Sequence, residues 1–139
     1  MKKMIIYISM FIILLSGAAE NKTFSLLDYY SGEYFSYSNQ PLKDNSIYTG
    51  SCYINSEINS KEIIGESITV KNFEPSAAIK ELKAKVVKTE YLESGAIVIY
   101  AYSKFIPKSV KLESEKVNLQ IAYYETHSII GWPLILGSF

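Results

Sequence analysis

The stretch Val117-Asn118-Leu119-Gln120-Ile121-Ala122-Tyr123-Tyr124 decides the fold. Val117, Leu119, Ile121 and Tyr123 alternate with Asn118, Gln120, Ala122 and Tyr124, a period of two that predicts a β-strand. Glu125-Thr126-His127-Ser128 closes a hairpin after it, and Ile129 to Leu136 reads as the returning strand. Pro133 lies in that return and has no N–H for a ladder, which predicts an edge strand or a bulge. Upstream, Lys85 to Leu92 and Ala96 to Ser103 flank Glu93-Ser94-Gly95, a three-residue loop suited to a second hairpin. Pro107 marks the turn between the two pairs.

Moving toward the N-terminus, Pro75 suits a first helical turn, where its missing N–H costs nothing. Ala78, Ile79, Leu82 and Val86 share one face, with Lys80, Glu81 and Lys83 opposite, so an amphipathic helix follows whose apolar face lies on a sheet. Asn59-Ser60-Lys61-Glu62 looks like a helix start with Ser60 as N-cap. The residues after it, Ile63 to Ile68, are expected to be helical, although Gly65 and β-branched Thr69-Val70 weaken the pattern. Ile47 to Ile54 reads as one strand, Gln40 to Asn45 as a turn, and Phe24 to Tyr37 as a short helix running into an extended segment. Helices followed by strands give an α+β layer pair.

Lys2 and Lys3 precede an apolar run from Met4 to Leu15, followed by Ser16-Gly17-Ala18-Ala19. This is the pattern of a secretory signal. The run is shorter than the roughly 20 residues a spanning helix needs. The expected organisation is a signal peptide at 1–19, an aromatic helical and extended segment at 20–45, and one α+β domain at 46–139. The protein is then exported, extracellular or associated with the cell envelope, and touches membrane only through the signal if that remains uncleaved.

Composition excludes more than it assigns. There is no arginine, and Lys2 and Lys3 leave with the signal, so 14 − 2 = 12 lysines face 14 acids. Without a basic stripe or the bidentate guanidinium fork, nucleic acid is not an expected ligand. Cys52 is the only cysteine, so no intramolecular disulfide forms, and its apolar strand setting favours burial. His127 is the only histidine, which removes the multi-histidine zinc sites and leaves Cys52–His127 as the one thiol–imidazole pair. Glu113 and Glu115 share a face if extended, but flanking Lys111 and Lys116 suggest a solvated edge. Asp28 and Asp44 fall where turn and capping roles are usual. No catalytic residue, cofactor or metal is assigned.

The twelve tyrosines are the notable surplus. Most suit a half-buried sheet, where aromatics are good strand formers. Tyr29, Tyr30, Tyr34, Tyr37 and Trp132 stand out as a candidate interaction surface, since tyrosine and tryptophan combine an apolar body with a polar tip.

Lys116-Val117-Asn118-Leu119-Gln120-Ile121-Ala122, then Gly131-Trp132-Pro133-Leu134-Ile135 ending at Phe139, resembles the C-terminal part of YwmB-family proteins of endospore-forming Gram-positive bacteria. The likeness extends back to about Leu82, and Trp132 stands where the family usually has threonine. Known members are about twice as long. The resemblance implies a TATA-binding-protein-like fold, a curved antiparallel sheet of about five strands with one or two helices on one face, and carries over no catalytic residue. The resulting expectation is a non-catalytic binding or accessory module whose partner is an envelope protein or a wall polymer. The alternative is a cell-wall-processing enzyme or enzyme regulator, with DNA binding a third reading.

Overall fold

The computed structural model describes residues 24–42, 44–56 and 63–136. The expected signal at 1–19 and the Ser60 cap lie outside the described residues. The described chain begins with one turn of 3-10 helix, Leu26–Asp28, whose N-cap Ser25 accepts the Leu27 N–H. Ten strands follow: β1 (Glu33–Ser38), β2 (Ile47–Tyr48), β3 (Tyr53–Asn55), β4 (Ile63–Lys71), β5 (Lys85–Tyr91), β6 (Ile97–Tyr102), β7 (Val110–Leu112), β8 (Glu115–Val117), β9 (Leu119–Tyr123) and β10 (His127–Trp132). Helix α1, Pro75–Glu81, separates β4 from β5. Pro75 stands in its first turn, and buried Ala78 and Leu82 mark its inward face.

Eight strands form one antiparallel sheet in the order β2-β3-β1-β4-β10-β9-β6-β5, and β7 and β8 pair as a separate hairpin. The architecture is therefore mostly β. The α+β expectation of a five-strand, TATA-binding-protein-like sheet backed by one or two helices is overturned, because α1 is the only α-helix among the described residues.

The largest single cause is the segment expected to be helical from Ile63. It is the nine-residue central strand β4, paired with β1 on one side and β10 on the other. β-branched Ile63, Ile64, Ile68, Thr69 and Val70 favour extended backbone, and two neighbouring strands supply the ladder that a weak helical pattern cannot outweigh. The expected strand Ile47–Ile54 is instead a tight hairpin, with Gly50 at φ +88 in the turn between β2 and β3. The return expected from Ile129 to Leu136 stops at Trp132, just before Pro133. The missing N–H thus falls outside the ladder, and β10 sits inside the sheet between β4 and β9 and not at an edge. The two hairpins expected from sequence form, β5 with β6 and β9 with β10, while β7 and β8 add a pair that the sequence reading does not foresee.

On one face of the sheet, Tyr34, Ile68, Ile99, Ala101, Leu119, Ile121, Ile130 and Trp132 meet Leu26 of the 3-10 turn and Ala78 and Leu82 of α1. Ser103 and Asn118 tie this layer together in the interior. Asn118 accepts the Ser103 N–H at 2.8 Å and donates to the Ser103 and Ile106 carbonyls at 2.7 and 3.1 Å. The opposite face is covered at its centre by the chain after β10, where the Ile135 N–H donates to Gln120 Oε1 at 2.8 Å.

Candidate interaction surface

Only Tyr29 of the five aromatics singled out from sequence is exposed, at 47%. Tyr30, Tyr34, Tyr37 and Trp132 are buried. Tyr34 and Trp132 lie on the helix-covered face, and Tyr37 on the other. What gathers Tyr34 and Trp132 is Glu66, a buried carboxylate in the middle of β4. Its Oε1 accepts the Ser25 hydroxyl at 2.7 Å and the Tyr34 hydroxyl at 2.6 Å, while its Oε2 accepts the Leu26 N–H at 2.9 Å and the Trp132 indole N–H. Four donors from three parts of the chain converge on one side chain, so Glu66 pins the 3-10 turn to the sheet. Among the described residues, every polar contact it makes is internal. Burial, and then the bond to Glu66, pushes the Tyr34 phenol well above its ordinary value.

Glu66 was not singled out from the sequence. Its signal is a charge on the same parity as Ile68, visible once residues 63–71 are read as a strand.

Tyr37 leads to the accessible feature on the other face. Its hydroxyl bonds the Ser67 hydroxyl at 2.6 Å, and its ring sits in a row of directly opposite residues, Ile47, Ile54, Tyr37 and Gly65. Residues directly opposite in an antiparallel ladder share a face. Gly65 keeps the row shut: a Cβ there would lie 2.6 Å from the Trp132 carbonyl oxygen and 3.1 Å from the Tyr37 ring. A bulge at Tyr37/Ser38 leaves Ile64 without a partner in β1 and turned to the same side as Gly65. With Val110 of β7 and Pro133, Leu134 and Leu136 of the chain after β10, these residues line an apolar cavity of about 190 Å³. Ile47 at the end of the row is 68% exposed, and its neighbour Tyr48 is 62% exposed with its ring 5.1 Å from that of Tyr53.

The chemistry weighed from sequence is not assembled. Cys52 is buried and precedes β3, level with the Ile63 end of β4; His127 pairs with Lys71 at the other end. At about 3.3 Å per residue, the length of β4 holds them more than ~20 Å apart. His127 stacks on Tyr124 with ring centroids 4.7 Å apart and shares a hydrogen bond with Thr126. Glu113 lies in the β7–β8 turn, 3.3 Å from Lys88 Nζ, and Glu115 stands opposite Leu112. Among the described residues no three His, Cys, Asp or Glu side chains group as a metal site, and no helix is long and apolar enough to cross a membrane. No family model, no curated protein and no solved structure matches the chain.

Proposed function

We propose that this is an exported, non-catalytic binding module of the cell envelope, and that its partner is a protein carrying an aliphatic or aromatic anchor. The observation that supports this reading is the apolar row Ile47-Ile54-Tyr37 running into the cavity lined by Ile64, Val110, Leu134 and Leu136. Exposed apolar surface of this kind, next to a preformed cavity, suits a side chain delivered by another protein. A wall polymer is the weaker candidate, because sugars need polar groups beside the aromatic faces and this lining offers almost none. Enzyme action has no support from the separated Cys52 and His127. Export rests on the basic and apolar pattern at 1–19, and the YwmB-family resemblance is consistent with such a place in the cell.

Photo-crosslinking in intact cells tests the reading, with a benzophenone side chain at position 47 and a control probe at exposed Glu125. An envelope-protein adduct is expected from position 47 alone, and Leu134→Asp is expected to abolish it without unfolding the domain. No adduct, or the same adduct from both positions, overturns the binding role. Full-length, unprocessed chain recovered from cytosol overturns export.

A further inference from the structure

The far edge of the sheet carries a second surface, independent of the apolar cavity. β5 is seven residues long, and no described strand lies on its outer side. Tyr91 and Val86 are 78% and 44% exposed along it. The direction of its free backbone groups follows from the neighbouring turn. The Leu92 N–H points inward, to the Ala96 carbonyl at 2.9 Å. Backbone direction alternates along an antiparallel strand, so the N–H and C=O of Tyr91 and Thr89 point outward. An outward donor and acceptor on the same residue are what a two-fold axis needs, because the two copies then exchange both bonds at that residue.

Charge selects the register. The strand reads Lys85-Val86-Val87-Lys88-Thr89-Glu90-Tyr91, followed by Leu92 and Glu93. An axis at Lys88 or at Glu90 sets like charges directly opposite one another, which is unfavourable. An axis at Thr89 sets Lys88 opposite Glu90. It also lays Tyr91 against Val87, covering the most exposed apolar side chain of this edge. Lys88 and Glu90 already lie on one face, 2.7 Å apart as an exposed ion pair, so the four charges of two copies close into a ring. The ladder shift between Val86 and Lys88 marks where the pairing fades.

We propose that β5 is a homodimerisation edge, pairing antiparallel with β5 of a second copy about a two-fold axis at Thr89. The isologous contact joins two eight-stranded sheets into one and closes the edge against further addition. Sedimentation of the purified protein tests it through a charge exchange. Lys88→Glu makes the edge wholly acidic at its centre and Glu90→Lys makes it wholly basic, so each variant is expected to sediment as a monomer. An equimolar mixture is expected to recover the dimer mass, because only the mixed pair sets opposite charges together. Thr89→Pro removes the outward N–H at the axis and leaves the inward ladder to β6 in place; it is expected to be a folded monomer by circular dichroism. A wild-type monomer at every concentration, dimers from either charge variant alone, or open-ended assemblies overturn the proposal.

Discussion

Replacing Glu66 by leucine strips the acceptor from four donors at once, and the cost follows from which of them can turn away. The Leu26 N–H is fixed in backbone and the Trp132 N–H in a buried indole, so neither reaches water or another acceptor. A buried donor left without a partner costs about 1–3 kcal/mol, so the two together cost about 4 kcal/mol. Burying the leucine side chain returns about 1–2 kcal/mol, which leaves a net loss of about 3 kcal/mol. Glutamine keeps the volume and one oxygen for the two N–H groups. The Ser25 and Tyr34 hydroxyls rotate to accept from its amide, so its loss is about 1–2 kcal/mol. Urea denaturation followed by circular dichroism ranks the three proteins. Trp132, the only tryptophan, reports the site by fluorescence in the single variants. Adding Trp132→Phe to Glu66→Leu removes one stranded donor, so the double variant is expected to lose less than the sum of the singles. A leucine variant within about 0.5 kcal/mol of wild type refutes the claim that Glu66 is the pin between turn and sheet.

Alkali attacks the same layer. Burial raises the phenols of Tyr30, Tyr34 and Tyr37 above their ordinary value; Glu66 adds to the shift at Tyr34, and the nearby negative charge of Glu81 adds to it at Tyr30, whose hydroxyl has no described acceptor within hydrogen-bond geometry. Above the unfolded value near 10 the unfolded chain releases protons that the folded chain keeps, so stability is intact below that pH and falls above it. Each phenol that stays protonated in the folded chain adds a slope of up to about 1.4 kcal/mol per pH unit, read as a urea midpoint that is flat below the unfolded value and then drops; a midpoint unchanged through this window counts against the burial of the three rings. Asn118→Ala leaves the Ser103 N–H without its acceptor and the Ile106 carbonyl without its amide donor, while the Ser103 carbonyl keeps the Ile106 N–H; a loss of about 2–3 kcal/mol is expected. Amide exchange at Ser103 is expected to quicken in that variant, and an unchanged rate shows that the asparagine is not what holds it.

Legibility from sequence followed the distance over which each element is specified. The β5–β6 and β9–β10 hairpins and helix α1 are local: alternation, a glycine-bearing loop and a proline at the first turn all lie within a dozen residues of the structure they set. β4 is not. Its pattern is ambiguous taken alone, and its strand state comes from partners near residues 35 and 130. The aromatic surplus is visible as composition, but whether Tyr34 or Trp132 faces solvent depends on a carboxylate in β4. Ile64, Leu134 and Leu136 are unremarkable one by one, and only the sheet order brings them to a shared cavity wall.

The placement of β10 has a temporal side. Among the described residues, β1 to β4 on one hand, and β5, β6 and β9 on the other, touch along the sheet only through residues 127–132. During synthesis, the molecule is two half-built sheets with raw margins until that segment emerges. Closure is then a single late event. A nascent chain stalled before residue 127 should remain a protease-sensitive pair of fragments, a state prone to wrong partners.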